Sequence, residues 1–207
     1  MKEAMTELLI ATTNQGKLRE YSAILETLPL TLRSLADVAI ADDVEETGAT
    51  FAENAQLKAL YYAAQAGLPA LADDSGLEVA ALDGAPGVYS ARFAGHGASD
   101  ADRIALLLQK LDGVPFHARL ARFVCTIAIA LPDGTCEIVE GILPGVIENA
   151  PRGSNGFGYD PIFYVLDEDR TLAEIPTERK NAISHRARAA QAARDVLARW
   201  VAEGRIS

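Results

Sequence analysis

Short apolar runs bounded by turn residues alternate along this chain with stretches whose apolar positions recur every three or four residues, the pattern of a mixed α/β protein. Leu8-Leu9-Ile10-Ala11-Thr12 predicts a buried strand, and Thr13-Asn14-Gln15-Gly16 a turn after it. Leu18, Tyr21 and Leu25 then share one face of a helix that begins near Lys17 and ends at Pro29. A second strand is predicted around Leu30 to Leu35. Thr50-Phe51-Ala52-Glu53 is a capping box, opening a helix that runs to about Ala66, where Gly67-Leu68-Pro69 stops it. Thr50, Asn54 and Lys58 lie four apart and share a face of that helix.

The next apolar segment, Leu68-Pro69-Ala70-Leu71-Ala72, predicts a strand with Asp73-Asp74-Ser75-Gly76 at its end. A further strand from about Leu77 to Ala81 leads into the loop Gly84-Ala85-Pro86-Gly87. Ser99 and Asp102 start a helix with the stripe Ile104, Leu107, Leu108 and Leu111. Arg122 to Leu131 is the strongest strand, and Pro132-Asp133-Gly134 joins it to Thr135 through Leu143 as an antiparallel hairpin. Pro144 to Asp160 contains four glycines and two prolines and is predicted to be loop. Ile162 to Leu166 is a short strand. Ala189, Ala193, Val196, Leu197 and Trp200 form the core stripe of a closing helix. We expect one α/β domain over residues 1–207, with a mixed, strongly twisted central sheet flanked by helices. Long loops at 36–49 and 144–160 are suited to an active-site cleft between two lobes.

Composition narrows the class. With 207 residues, 49% apolar, the chain can build a sizeable core. No segment has the apolar length to span a membrane, and the polar first seven residues do not read as a signal peptide, so a cytoplasmic protein is expected. The net charge of −10 argues against a nucleic-acid groove. The charge is uneven: six acids and no base lie between Asp37 and Glu53, and seven bases against two acids between Arg179 and Arg205. That arrangement suits a nucleotide-sized polyanion held by a metal on one side and cations on the other. Cys125 and Cys136 flank the hairpin turn out of register, so reduced thiols are expected. His96, His117 and His185 lack zinc-site spacing.

Four constellations carry candidate chemistry, each with a plainer reading beside it. Thr12-Thr13-Asn14-Gln15-Gly16-Lys17 is a strand–turn–helix start with N–H groups available to an anion, or simply a junction. It is not a Walker A loop, since Ala11 and Leu18 stand where that motif needs glycine and a hydroxyl. Glu45-Glu46 and Asp73-Asp74 are carboxylates suited to a hard divalent cation, or a solvated acidic rim. Lys58 beside Asn54, Lys180, His185, Arg186 and Arg92 are cations for phosphate, or surface charges. Phe157-Gly158-Tyr159-Asp160 offers an aromatic platform, or a loop anchor. No G-x-S-x-G elbow or zincin motif is present. Metal-assisted attack of water on a phosphoanhydride needs only the groups at hand.

At these residues the sequence resembles the inosine/xanthosine triphosphate pyrophosphatase family, which hydrolyses noncanonical purine nucleoside triphosphates. The matching segments are Ala11 to Lys17 with Glu20; Glu45 to Phe51 continuing through Glu53-Asn54-Ala55 to Lys58-Ala59; Ala72 to Leu77; Gly84 to Gly87 with Tyr89 to Phe93; Gly156 to Phe163; and Lys180 with Ile183 to Arg186. The resemblance implies magnesium-dependent conversion of ITP, dITP and XTP to the monophosphate and pyrophosphate. It implies that Thr12, Thr13, Asn14, Gln15, Gly16 and Lys17 grip the triphosphate. Glu45 and Asp74 would hold magnesium, with Asp73 as a further candidate ligand, and Asp74 would accept the proton of the attacking water. Asn54, Lys58 and Ser75 would serve the substrate. Phe157, Gly158, Tyr159, Asp160, Lys180, His185 and Arg186 would hold the base and nucleotide. Thr13 stands where the family often has glycine, a change expected to tighten the turn without altering the reaction.

A donor aimed at the C6 carbonyl, from a backbone N–H of the Phe157 loop or from Arg186, would favour hypoxanthine and xanthine over adenine by about 1–3 kcal/mol. A homodimer is expected from the family and from the habit of small soluble enzymes. Two rivals are weighed: a Maf-like pyrophosphatase of modified pyrimidine or standard nucleotides, and a nucleotide-binding regulator without turnover. The regulator is the less attractive, because phosphate binding gains nothing from bare carboxylates nearby.

Overall fold

The computed structural model describes residues 6–42 and 44–206, with the side chain of Gln15 outside the description. Seven strands form one sheet: β1 (Thr6–Ile10), β2 (Leu30–Ser34), β3 (Ala70–Val79), β4 (Leu120–Ala130), β5 (Cys136–Ile147), β6 (Phe163–Val165) and β7 (Arg170–Thr171). Their order is β2-β1-β3-β4-β5-β6-β7. β1 pairs in parallel with β2 and β3, whereas β6 pairs antiparallel with β5 and β7. The helices are α1 (Gln15–Leu25), α2 (Phe51–Ala66), α3 (Asp100–Lys110), α4 (Thr177–Ile183) and α5 (His185–Ala202). The mixed α/β sheet expected from the sequence is thus observed.

The chain divides into two compact units, one of Met1–Asp74, Cys125–Gly141 and Arg186–Ser207, the other of Ser75–Val124 and Ile142–His185. In the first unit the strands alternate in a way that decides which helix covers which face. Leu8 and Ile10 of β1, Leu71 of β3 and Ile127 and Ile129 of β4 pack with Tyr21 and Leu25 of α1 and with Ala189, Ala193, Leu197 and Trp200 of α5. The intervening residues Leu9, Ala70, Ala72, Ala128 and Ala130 form the other face, against Ala55, Ala59, Tyr62 and Ala63 of α2. Small residues on both sides let α2 approach the sheet closely. In the second unit Ile104, Leu107 and Leu111 from the α3 segment pack with Leu77, Val79, Phe123, Ile162 and Phe163.

The capping predictions are met. Thr50 Oγ1 accepts from the Glu53 N–H, Glu53 reaches back, and Gly67 closes α2 in the left-handed conformation at φ 65°. Leu131 and Gly134 close the hairpin turn, through Leu131 N–H to Thr135 O at 2.8 Å and Gly134 N–H to Leu131 O at 3.0 Å. Both cysteines are free thiols. No helix is long and apolar enough to cross a membrane among the described residues.

Three boundaries differ from expectation. α1 begins at Gln15, because Asn14 rather than the glycine turn supplies its cap. β5 runs on through Pro144 and Gly145 to Ile147, so the predicted loop is four residues shorter. Most consequentially, β3 does not stop at the acids: Asp73, Asp74, Ser75 and Gly76 lie inside a single ten-residue strand, and both carboxylates are buried. Acidic side chains end a strand when they need water, and here the protein supplies their partners. Because α2 depends on its cap, Thr50→Ala should lower stability by about 1 kcal/mol, read as a shift in the urea midpoint at unchanged slope.

Candidate active site

Adjacent strand residues point to opposite faces, so β3 separates its two acids. Asp73 follows Leu71 toward α1 and α5, and Asp74 follows Ala72 toward α2. On the α1 side, Lys17 Nζ lies 2.7 Å from Asp73 Oδ2. Cys125 Sγ is 3.9 Å from the same oxygen. Burial works to raise the Asp73 carboxyl, but Lys17, Arg186 and Lys58 together hold it below its ordinary range. Burial likewise opposes the charge of Lys17, yet Asp73 keeps it above its usual value. Burial and the Asp73 charge push the Tyr21 phenol and the Cys125 thiol upward, so both remain neutral. Arg186 opens α5 and is buried; its Nη1 donates to Glu20 Oε2 at 2.7 Å, which holds the guanidinium charged despite desolvation.

On the α2 side, fully buried Asn54 donates through Nδ2 to Asp74 Oδ2 at 2.9 Å and accepts the Gly48 N–H at 2.8 Å. One turn further, Lys58 Nζ contacts Glu46 Oε1 and the Asp73 carbonyl oxygen, both at 2.6 Å. These two rungs tie the acidic segment to β3. Gly48 is required for the first: a Cβ there would stand 2.7 Å from Asn54 Oδ1. Glu45 is exposed on the same segment, next to the anchored Glu46. Among the described residues no three carboxylate, histidine or cysteine groups gather into a metal cluster.

The strand–turn–helix start has a different character from the one expected. Asn14 Oδ1 takes the N–H groups of Gly16 at 2.8 Å and Lys17 at 3.2 Å, so two donors expected to face an anion are engaged within the turn. Thr12 Oγ1 accepts the Asn14 N–H at 3.2 Å, while Thr13 is exposed. The predicted role of the Gln15 side chain lies outside the described residues.

The second unit assembles the remaining residues. Phe157 is 58% exposed, and Lys180 Nζ lies 5.0 Å from its ring centre. Lys180 also pairs with Asp160. The Phe157 N–H donates to Asp160 Oδ2 at 2.9 Å, and the Gly158 N–H to Asp100 Oδ2 at 2.7 Å. Of the donors expected for a purine C6 carbonyl, a backbone N–H of the Phe157 loop or Arg186, the Phe157 and Gly158 N–H groups are thus held by protein carboxylates. At Gly156, with φ +79°, a Cβ would collide with the Asp160 carboxylate, so only glycine admits this turn. Tyr159 is buried rather than presented; its hydroxyl donates to the Ser90 carbonyl at 3.0 Å, and burial pushes it up to about 12. Ser90 Oγ in turn accepts the Leu77 N–H at 2.8 Å. His185 is buried too, its ring stacked on Phe123 at 4.7 Å and 12°. Ser75 is half-buried on β3.

The arrangement in the first unit offers an oriented carboxylate at Asp74, acids on a segment anchored beside it, and three cations, Lys17, Lys58 and Arg186, held by carboxylates. A sequence model of the Ham1 family matches residues 8–196. The chain belongs to the Ham1 family. It is 55% identical over 193 residues to the dITP/XTP pyrophosphatase of Geobacter sulfurreducens, covering 93% of this chain and 97% of that protein. Identity to the dITP/XTP pyrophosphatase of Geobacillus kaustophilus is 51% over 185 residues, 89% of this chain and 91% of the relative. The solved structure of a HAM1 protein from Coxiella burnetii is similar at a TM-score of 0.89 and 46% identity, over 94% of this chain and 100% of that one. The Ham1 protein of Staphylococcus aureus follows at 0.86 and 43%, over 92% and 97%.

Reading single residues of this Ham1 chain missed Asp100 and Arg103, which face the Phe157 loop from α3. Their spacing of three on a helix was the available signal. The Asp73–Lys17 pair makes a pH prediction. A carboxyl held below its ordinary 3.8 contributes stability that is complete above that value and lost as pH falls through the lower folded value. Asp73→Asn should cost about 3 kcal/mol near pH 7, by leaving a mostly buried ammonium without its partner. It should also remove part of the wild type's acid-side decline, measured as denaturation midpoints from about pH 7 to about pH 3.

Proposed function

We propose that this chain hydrolyses noncanonical purine nucleoside triphosphates, with ITP, dITP and XTP as substrates, to the monophosphate and pyrophosphate. The observation that carries the reading is the Asp74 carboxylate, buried on β3 and oriented by Asn54, with the segment of Glu45 and Glu46 anchored beside it through Asn54 and Lys58. The names of the dITP/XTP pyrophosphatases that match nearly the whole chain support the substrate class.

Asp74 is the proton acceptor. It takes a proton from water as the oxygen attacks the α-phosphorus, and the bond to the bridging oxygen breaks so that pyrophosphate departs. Asn54 holds the carboxylate in one orientation, and removing that freedom in advance is a large part of what such a site contributes. Lys17, held toward β3 by Asp73, and Arg186, held by Glu20, supply positive charge to the phosphates, with Thr12 to Gly16 shaping the turn beside them. Phe157 lies under the base, braced by Lys180 and Asp160.

Magnesium fits the donor set. Asp74 and Glu45 are hard oxygen ligands on segments that Asn54 and Lys58 join, and a magnesium site needs only one or two carboxylates beside substrate oxygens and water. Bound there, the ion would polarise the phosphoryl oxygens and offset their charge. Asp73, committed to Lys17, is left out of the ligand set. A cytoplasmic homodimer completes the proposal, on the habit of small soluble enzymes.

Incubation with ITP and magnesium should yield IMP and pyrophosphate in equal amounts; IDP and inorganic phosphate would contradict the assignment. Asp74→Asn should lower kcat by at least about 10²-fold, with folding retained by circular dichroism. Wild-type turnover in that variant would remove Asp74 from the chemistry.

A further inference from the structure

Phe157 is 58% exposed, with Lys180 Nζ 5.0 Å from its ring centre, and the backbone beneath it shares in setting the direction of the ring. Two consecutive peptide N–H groups at this point are held by carboxylates from different parts of the second unit. Asp160, three residues on, takes Phe157, and Asp100, 58 residues earlier in the chain, takes Gly158. A Cβ at Gly158 would meet nothing within 4 Å, so packing does not restrain this peptide from the side-chain direction. The hydrogen bond does.

Asp100 is not needed to cap its own helix. It is the first residue of α3, whose capping is already complete without it: Ser99 Oγ takes the Asp102 N–H, and Asp102 Oδ2 takes the Ser99 N–H at 2.9 Å. Its own carboxylate is fixed at both ends. Oδ1 pairs with Arg103 one turn along, and Oδ2 receives Gly158. Arg103 is immobilised in turn, its Nη1 donating to the carbonyls of Ala91 at 2.9 Å and Ala98 at 2.7 Å. Partial burial opposes the Asp100 charge, but the Gly158 N–H and Arg103 keep the carboxyl below its ordinary range.

We propose that Asp100 is a positioning residue for purine-base binding: its carboxylate, braced by Arg103, holds the Gly158 peptide and thereby the face that Phe157 presents. The proposal rests on the reading of Phe157 as the base platform. It extends that reading to a side chain that never touches the substrate. Hydrogen bonds to an ionised acceptor are strong enough for the loss of one to be measurable in binding.

The test is a double-mutant cycle on the full chain, with ITP and magnesium. Asp100→Ala should raise KM roughly tenfold with kcat changed less than about threefold. In a Phe157→Ala background the same substitution should add less than about twofold, because a residue acting through the ring has nothing left to position. Asp100→Asn, which keeps an oxygen for the Gly158 N–H, should recover most of the loss. Exchange of the Gly158 amide, followed by NMR, should accelerate in Asp100→Ala and stay slow in Asp100→Asn. Additive effects in the cycle, or an unchanged KM in a chain that turns over ITP, would overturn the proposal. No ITP turnover by the wild type, with Gly158 exchange still accelerated in Asp100→Ala, would defeat the substrate assignment and leave the tether standing.

Discussion

The pleat of β3 is the constraint on which the candidate site depends. Two neighbouring carboxylates in a turn would share one solvent and repel each other. In a strand they leave opposite faces, and each meets a different set of partners. Asp73 meets Lys17, Arg186, Tyr21 and Cys125, a buried and charge-balanced environment. Asp74 meets Asn54. One residue thus becomes an internal counter-ion that holds a lysine in place, and its neighbour an oriented carboxylate suited to metal and water. A one-residue slip of β3 would exchange the two environments, so the apolar alternation of Ala70, Leu71 and Ala72 also sets the chemistry.

The same principle, polar groups consumed to fix other groups, recurs around the Phe157 loop. Its N–H groups face Asp160 and Asp100, its lysine faces Asp160, and Tyr159 is buried against the Ser90 carbonyl. Within Phe157-Gly158-Tyr159-Asp160, the side chain shown to solvent is the Phe157 ring, while Tyr159 and Asp160 are buried. Such a ring suits stacking on a flat base, and discrimination at the purine edge is then left to a donor other than these two N–H groups.

Local signals were legible wherever the deciding contacts are close in sequence. The Thr50–Glu53 capping box, the Gly67 stop, the hairpin at Pro132-Asp133-Gly134 and the stripe ending at Trp200 all depend on residues a few positions apart. The continuation of β3 through its acids was not legible, because the groups that satisfy Asp73 and Asp74 lie 56 and 20 residues away. Nor was the engagement of the α1 start, where the cap Asn14 competes with any anion for the same N–H groups. The ordered motifs between Ala11 and Arg186 are enough by themselves to carry the family resemblance. They do not distinguish a residue that touches a ligand from one that holds another residue still, as Tyr159 and Asp73 do.

The division of labour between the two acids is the central claim, and ion binding tests it most directly. Manganese, titrated as a paramagnetic stand-in for magnesium in the presence of a non-hydrolysable ITP analogue, reports the ligand set by electron paramagnetic resonance. Asp74→Asn should lose most of the bound-ion signal, whereas folded Asp73→Asn should keep it. Loss of the ion from Asp73→Asn with retention in Asp74→Asn would contradict the account.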